Sequence, residues 1–342
     1  MSACNICGNE VGNTTHIARE LHLGIGDEFK YFECSSCGCL QIVEVPKDLS
    51  KYYPSYYYSY NSGGSTLDFS RRGLGGYKQR FVLGVLTNYY FGKKSIFGKW
   101  LASRSPLSRD FPLWVRQQRL NLGLRKSSPI LDVGCGKGKT LLDMRAYGFT
   151  NLQGVDPFLD SDVFYENGVK IYKKSVEDLA GKFDLIMLNH SFEHMPDQLK
   201  TLVKLRSLLS SNSYLLIRVP IVGSYQWQRY GLKWVGLDAP RHLYLHSIRS
   251  MNLLAKQADL SVDEVVFDSE GFTIWGSEQY EAGISLVDSR SYWIDPAASI
   301  FKATDIERFA VHAAELNANG TGDCAAFYMR SKGSQNSSRC CA

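Results

Sequence analysis

The sequence predicts an α/β fold built on a doubly wound, mostly parallel sheet. From residue 129 onward, apolar runs of strand length alternate with helix-length runs, which is the pattern of βα units. A glycine-rich turn follows the first of these strands. Of the 342 residues, 44% are apolar and 21% are charged, so the chain is long and apolar enough to form a sizeable folded core.

The elements follow from apolar runs and breaker residues. Buried strands are predicted at 129–133, 152–155, 169–172, 183–188 and 214–219, and runs at 262–267 and 325–329 would close the sheet. Helices are predicted at 139–147, 198–209 and 247–258, the last with Ser247 as its N-cap. The stretches 81–90 and 113–124 are predicted to be helical in pieces, interrupted by Pro106 and Pro112.

Four segments divide the chain. Residues 1–45 carry two cysteine knuckles around a strand-like stretch, and residues 46–127 combine a Tyr-rich linker with a basic helical segment. Residues 128–331 hold the predicted sheet. Residues 332–342 are polar, and we expect this tail to be disordered.

The net charge of +5 is unevenly distributed. Residues 71–126 contain 13 Lys/Arg and one acid, Asp110, a balance of +12 that leaves −7 for the rest of the chain. No secretory signal pattern opens the sequence, and no run of 18 apolar residues could cross a membrane. Nine cysteines are too few for a disulfide scaffold, and four lie at metal spacing, so we expect a protein of the reducing cytoplasm.

The glycine-rich turn lies in Ile130–Thr140, which reads ILDVGCGKGKT. Gly134, Gly136 and Gly138, with Cys135 between the first two, separate the predicted strand from the predicted helix. Glycine at such positions permits positive φ and lets a ligand approach the backbone closely. The turn is therefore a candidate cofactor site.

Two acids flank this turn. Asp132 stands just before the first glycine, where a carboxylate can meet a ligand's ammonium group, and Asp156 ends the next strand, where an acid can hold ribose hydroxyls. Nicotinamide and flavin sites use a similar turn. The acid at Asp132, a loop that has Lys137 and Lys139 but not the full Walker motif, and the downstream segments favour S-adenosylmethionine (SAM).

These segments together resemble class I SAM-dependent methyltransferases over roughly residues 129–330. The resemblance rests on D-V-G-C-G-K-G, Asp156, V-E-D-L at 176–179, and F-D-L-I-M-L-N-H-S-F-E-H-M-P-D at 183–197. It implies a Rossmann-like methyltransferase sheet that binds SAM, with Asp156 on the ribose. An Asp that often meets the adenine in that family is replaced here by Ser175. The remaining cofactor candidates are Val176, Glu177 or Asp178, and Asn189 at the end of the fourth strand.

The run from Asn189 to His194 is not the Asn/Asp-Pro-Pro-Tyr/Phe motif of methyltransferases that act on amino groups of DNA bases. This difference argues against methylation of DNA bases.

Two knuckles, Cys4-x-x-Cys7-Gly and Cys34-x-x-Cys37-Gly, have the spacing of a four-thiolate site for structural Zn²⁺. The glycine after each pair suits a tight turn whose amides face the sulfurs. A redox role is disfavoured, because neither pair opens a helix in a thioredoxin-like βαβ unit. Three further possible ligands are expected to be ordinary residues: His16, His22 and Cys39.

A four-Cys ribbon, a Tyr-rich linker and this core, in that order, resemble bacterial methyltransferases of sugar and cell-surface polysaccharide pathways. The zinc-containing sugar C-methyltransferases are the best-defined members. The runs D-A-P-R-H-L-Y at 238–244 and G-S-E-Q-Y at 276–280 also resemble this group. The resemblance implies methyl transfer to oxygen or carbon of a sugar or glycan-type acceptor, in a polysaccharide or nucleotide-sugar pathway.

Methylation of a hydroxyl or a carbon acid needs a base as well as alignment. His242, between the fifth strand and the next helix, is the favoured base, and His194 or Glu193 after the fourth strand is the second candidate. His194 is alternatively a cap of the following helix. His190 and His246 are expected to be structural.

The basic segment 71–126 leaves several interpretations open. It is a solvated face, a site for phosphates of a phosphorylated acceptor, a surface for peripheral contact with an anionic membrane, or an RNA-binding face. Two alternatives to the sugar hypothesis follow: a zinc-ribbon RNA methyltransferase, and a SAM-fold binding protein without turnover. The acceptor and the oligomeric state stay unassigned.

Overall fold

The structure, a computed structural model, describes residues 3–54 and 74–332. The predicted Tyr-rich run at 55–60 and the predicted tail from residue 333 lie outside this part of the chain. A four-stranded sheet near the N-terminus has the order β1-β2-β3-β10. Its strands are β1 (Thr14–Arg19), β2 (Glu28–Glu33), β3 (Leu40–Ile42) and β10 (Tyr244–Leu245).

The larger sheet has eight strands: β4 (Ile130–Val133), β5 (Leu152–Val155), β6 (Val163–Phe164), β7 (Lys170–Tyr172), β8 (Phe183–Asn189), β9 (Leu209–Pro220), β11 (Leu260–Phe267) and β12 (Cys324–Ser331). Their order is β11-β12-β9-β8-β4-β5-β7-β6. The strands from β9 to β7 run parallel, whereas β12 is antiparallel to both of its neighbours. The predicted mostly parallel α/β sheet is confirmed.

The helices of the described chain are α1 (Leu74–Phe91), α2 (Ile96–Arg104), α3 (Leu113–Gln117), α4 (Lys139–Ala146), α5 (Gln198–Leu208), α6 (Tyr225–Tyr230), α7 (Ile248–Gln257), α8 (Gly271–Glu281) and α9 (Ala303–Ala318). The Ser247 side chain accepts a hydrogen bond from the Ser250 amide, so the predicted N-cap is confirmed. Sequence patterns did not indicate α8 or α9, which separate β11 from β12.

The predicted helical piece at 113–124 is only partly correct. Helix α3 ends at Gln117, and the chain then continues without helix because the Glu264 carboxylate accepts a hydrogen bond from the Arg119 amide, 2.9 Å away. A long-range side chain thus replaces the hydrogen bond that a further helical turn would have made.

Two apolar clusters contribute to the core of the fold. In one, the N-terminal sheet, represented by Tyr31 and Leu40, packs with Phe192 and Leu245. In the other, Trp114 and further residues of α1 and α3 pack with β4 and α4. Parts of the predicted basic segment, from α1 through α3, therefore belong to the core that supports the sheet. No helix among the described residues is both long and apolar enough to cross a bilayer.

Candidate active site and thiol cluster

The glycine turn joins β4 to α4, as predicted. Gly134, Gly136 and Gly138 have φ angles of +70°, +51° and +78°. A Cβ on Gly134 would lie 2.4 Å from the Ser191 Cβ, and one on Gly138 would lie 2.3 Å from the Ile171 Cδ1. Both the backbone conformation and the available space therefore require glycine at these two positions.

Asp132 is a buried acid at the base of this turn. Its Oδ1 atom has no hydrogen-bond partner among the described residues, and neither has the buried Nδ2 atom of Asn189. Burial raises the pKa of Asp132 to about 7, against a smaller opposing effect of Asn189. A buried carboxyl group with a free acceptor atom fits a ligand that brings its own positively charged donor.

Asp156 follows β5, and its carboxylate faces back onto the turn. Its Oδ2 accepts from the Gly136 amide at 2.9 Å, and its Oδ1 accepts from the Phe158 amide at 2.9 Å. Each oxygen keeps a second lone pair, so these bonds orient the group and leave room for hydroxyl donors. The assignment of Asp156 to the ribose stays a prediction.

The remaining cofactor candidates lie around the same turn. Val176 is buried in a single turn of 3₁₀ helix at 176–178, and Glu177 beside it is exposed. Asp178 accepts a hydrogen bond from the Ser175 hydroxyl at 3.0 Å. Burial raises the pKa of the Cys135 thiol, so this thiol stays neutral. The orphaned Asp132 oxygen beside this turn fits the ammonium group of SAM.

A group of histidines surrounds Glu193 directly after β8. Glu193 is fully buried, and neither of its carboxylate oxygens has a hydrogen-bond partner among the described residues. Its Oε1 lies 3.5 Å from the His190 Nδ1 and 3.9 Å from the His242 Nε2. Burial raises the pKa of Glu193, but these two histidines and His194 outweigh burial and bring the pKa to about 2. The neighbouring histidines therefore favour the ionised form of this buried carboxyl group.

His242 is held as a neutral ring. Its Nδ1 lies 2.9 Å from the Gly236 carbonyl oxygen, so Nδ1 carries the proton and donates it. Nε2 then lies 3.9 Å from both Glu193 Oε1 and Asp238 Oδ2. Burial and the neighbouring His194, whose ring centroid is 4.8 Å away, lower the pKa of His242 to about 4. The ring can accept a proton at Nε2 over the neutral pH range.

His194 does not cap α5, since the N-cap residue of that helix is Asp197. Its Nδ1 lies 2.8 Å from the Arg241 carbonyl oxygen and 3.3 Å from the Tyr53 hydroxyl. The alternative capping role is therefore wrong. His246, by contrast, is buried between Gln198 and the Ser250 hydroxyl, as expected for a structural residue.

The loop that carries His242 is fixed by the N-terminal sheet. The Tyr31 hydroxyl donates to the His242 carbonyl oxygen at 2.8 Å. The buried Arg241 guanidinium donates to Glu20 Oε1 at 2.9 Å and to Asp238 Oδ1 at 2.6 Å. Strand β10 directly after the loop pairs with β3. Of these positioning residues, Glu20 and Tyr31 carried no sequence signal, and the only signal for Arg241 was its place in the 238–244 run.

The four predicted thiols come together at the edge of that sheet. The Sγ atoms of Cys4 and Cys37 are 3.5 Å apart, as are those of Cys7 and Cys34, and all four lie within 4.8 Å of one another. Tetrahedral thiolates around Zn²⁺ at ~2.3 Å lie about 3.8 Å apart, so the cluster fits this ion. Gly8 and Gly38, with φ of +73° and +71°, provide the expected knuckle turns.

The possible additional ligands lie outside this cluster. His16 packs on Trp227, His22 faces Asp238 at 3.5 Å, and the buried Cys39 thiol points to the Leu40 carbonyl. One further contact links the cluster to the N-terminus of α7, because the Ser247 hydroxyl donates to the Cys37 carbonyl oxygen at 2.6 Å.

One known protein family matches the segment that contains the glycine turn and the histidine group. The family model described as a methyltransferase domain matches residues 111–265. This segment is therefore similar to a methyltransferase domain. The match includes the glycine turn, Asp156 and the histidine group, and it leaves out the thiol cluster. No curated protein sequence matches the chain.

Several solved structures are similar to this chain at low identity. The cyclopropane synthase MmaA2 from Mycobacterium tuberculosis is 15% identical, with 61% of this chain and 79% of that chain covered and a TM-score of 0.39. The magnesium protoporphyrin IX methyltransferase ChlM from Synechocystis PCC 6803, solved with bound SAH, is also 15% identical, with 64% and 89% covered and a TM-score of 0.36.

Proposed function

We propose that the methyltransferase domain transfers a methyl group from SAM to oxygen or carbon of a sugar or glycan-type acceptor, with His242 as general base. The observation that carries this proposal is the His242 ring, whose Nδ1 is fixed by the Gly236 carbonyl oxygen and whose Nε2 lies 3.9 Å from the buried Glu193 Oε1. A hydroxyl group or an acidic C–H must lose a proton when it takes a methyl group. A preformed base beside the cofactor turn suits such acceptors.

When bound, SAM supplies a methyl group on a positively charged sulfur. In this chain, the free Oδ1 of Asp132 would accept from its ammonium group, and Asp156 would hold the ribose hydroxyls. The backbone of Val176 or the side chain of Glu177 would face the adenine. Asn189, whose amide nitrogen has no partner among the described residues, would donate to the ligand's polar end.

The base and the cofactor turn are held against each other. Ser191, two residues before Glu193, donates to the Val133 carbonyl oxygen at 2.8 Å and packs on Gly134. This contact brings the histidine group next to the end of β4. The donor and the base can therefore act on one acceptor placed between them.

The proton path follows from the hydrogen bonds of the ring. His242 would take the acceptor's proton at Nε2 while its Nδ1–H keeps donating to the Gly236 carbonyl oxygen. Glu193 would stabilise the imidazolium that forms. A positioned base of this kind contributes on the order of 10²–10⁴ in rate.

We also propose that the four thiols hold one structural Zn²⁺. Four thiolates fill a tetrahedral site and leave no position for a substrate, so the ion would stabilise the sheet that holds His242. Such a site needs reduced cysteines, which supports the cytoplasmic location that we propose.

The sugar acceptor is supported by the order of ribbon and core in the sequence. The run at 238–244, one of the segments that resemble sugar-pathway enzymes, contains both His242 and Arg241. RNA methylation and SAM binding without turnover remain the alternatives that the experiment must separate.

The test is a methyl-transfer assay with labelled SAM on nucleotide-sugars, with RNA in a separate arm. We expect label on a sugar, and we expect His242→Ala to lower kcat by ~100-fold or more with SAM affinity unchanged. His312→Ala, which removes a half-buried histidine ring that contacts Tyr225, is the matched control and should keep full activity. Label on RNA alone, or SAM binding without transfer to any acceptor, would refute the proposal.

A further inference from the structure

Helices α1 and α2 expose a group of large apolar side chains. The exposed fraction is 92% for Ile96, 70% for Tyr77, 64% for Phe81, 53% for Phe97 and 52% for Trp100. The rings of Phe97 and Trp100 stack with centroids 5.9 Å apart. Such a density of exposed apolar groups on two packed helices marks an interaction surface.

The fold does not require these side chains. Helix α1 is anchored on its other side by the buried Leu83, Leu86 and Phe91. Helix α2 is anchored where Gly98 meets Tyr89, since a Cβ on this glycine would lie 2.7 Å from the Tyr89 Cβ. Both helices are therefore held by one side while the opposite side keeps its apolar groups in solvent.

The charged side chains of the same two helices are all positive. Residues 74–109 contain seven Lys/Arg and no acid. Two cations lie over the exposed rings, since the Arg80 guanidinium is 4.7 Å from the Tyr77 ring and the Arg104 guanidinium is 5.8 Å from the Trp100 ring. We name the five apolar residues above, together with Lys78, Arg80, Lys93, Lys99 and Arg104, the aromatic–basic surface.

We propose that the aromatic–basic surface lies on an anionic lipid bilayer. Phe and Ile side chains enter the acyl boundary, Trp and Tyr prefer the headgroup level, and Lys and Arg meet anionic headgroups while their stems stay apolar. A second copy of the chain would bring the same positive charge and be repelled. RNA would pair with the cations and rings but would leave the aliphatic Ile96 in water, so the bilayer fits the whole set of side chains best.

The experiment is co-sedimentation of the full chain with phosphatidylcholine vesicles, with and without phosphatidylglycerol. We expect binding to the anionic vesicles, weak binding to the neutral ones, and weaker binding as salt increases. The double variant Ile96→Ser/Trp100→Ser and the triple variant Lys93→Gln/Lys99→Gln/Arg104→Gln should each lower the partition coefficient by roughly tenfold or more.

Matched controls lie elsewhere on the surface. Ile300→Ser/Val311→Ser removes two apolar groups of similar exposure, and Lys200→Gln/Lys256→Gln removes two exposed cations. Both should bind vesicles like the unmodified chain. SAM affinity should be unchanged in every variant, which also reports that the fold is intact. If Ile96→Ser/Trp100→Ser unfolds, vesicle binding of the triple variant tests the proposal, because this variant replaces only the charged ends of exposed side chains.

Four results would overturn the proposal: no vesicle binding, equal binding to neutral vesicles, equal loss in the control variants, or preferential binding of RNA in a competition with vesicles. Dimerisation that Ile96→Ser/Trp100→Ser abolishes, without any vesicle binding, would assign the surface to a second copy instead. The result is independent of the proposed function, since methyl transfer to a soluble nucleotide-sugar is measured without vesicles.

Discussion

The two halves of the candidate site are built in different ways. The cofactor half, from Asp132 through the glycine turn to Asp156, comes from one βαβ unit, and its main contact joins residues 20 positions apart. The base half, Glu193, His194 and His242, is completed by Tyr31 and Glu20, which lie more than 200 positions from the residues that they hold. One half is local in sequence, and the other is assembled by the whole fold.

Cofactor binding and positioning of the base therefore depend on different parts of the fold. The cofactor half is oriented by the amides of its own turn, whereas the base half depends on a buried ion group and on the sheet beside the thiols. Damage to the N-terminal sheet should therefore disable the base and spare cofactor binding. Damage to Asp132 should do the reverse.

Removal of the metal should have the largest effect among the changes that test whether the two halves are independent. Chelation, or Cys34→Ser, should lower kcat more than ~100-fold while SAM affinity stays within about threefold, because β3, which follows the second knuckle, would no longer hold β10 and the end of the His242 loop. Zinc content, turnover and calorimetric SAM affinity are the measurements. Cys39→Ala changes a buried thiol outside the cluster and should keep both metal and turnover. Parallel loss of SAM binding would show that the halves do not separate.

Asp132→Asn tests the other half. The ionised carboxylate is the form that pairs with an ammonium group, and the pKa of Asp132 is about 7. SAM affinity of the unmodified protein should therefore rise with pH up to about 7, by up to about tenfold per pH unit below it. In Asp132→Asn, the SAM affinity at pH 8 should be ~10-fold lower than in the unmodified protein. The rise in affinity between acidic and neutral pH should be lost. Calorimetric SAM affinity measured across this pH range tests the prediction. An affinity of the unmodified protein that does not change with pH would contradict the role of Asp132.

Sequence reasoning succeeded where the structure is local. The glycine turn, the strand at 152–155 and the Ser247 cap were placed from neighbouring residues, because turn chemistry and apolar runs act over a few positions. The four thiols were placed together because their spacing is a local signature on each knuckle.

The base half was only partly accessible to such reasoning. His242, His194 and Glu193 were named, yet nothing in the residues around Tyr31 or Glu20 indicates that they contact a loop near the other end of the chain. Strand β10 is two residues long and gains its partner β3 only once both sheets have formed. Tertiary contacts of this kind override local propensity and cannot be inferred from one sequence.

Glu193→Gln should have a smaller effect than loss of the metal. The carboxylate raises the pKa of His242, so its removal lowers that pKa further and weakens the base. We expect kcat to fall about tenfold and the acid limb of the pH–rate profile to move to lower pH. SAM affinity should not change. A limb that stays in place or moves to higher pH would show that Glu193 does not act on His242.

The smallest expected effect comes from Tyr31→Phe, with Tyr328→Phe as its matched control. Each tyrosine is fully buried and donates its hydroxyl to a carbonyl oxygen, that of His242 at 2.8 Å and that of Trp114 at 2.9 Å. Both variants should lower the free energy of unfolding by about 1–2 kcal/mol, since each leaves one buried acceptor without its donor.

Only Tyr31→Phe should also lower kcat, by roughly threefold to tenfold, because only its bond positions the base loop, and small misplacements of a base are costly. Denaturant unfolding and turnover of the two variants provide the measurements. Equal turnover in both would mean that the N-terminal sheet stabilises the base half without positioning it. A matching loss in Tyr328→Phe would mean that turnover follows stability and not the position of His242.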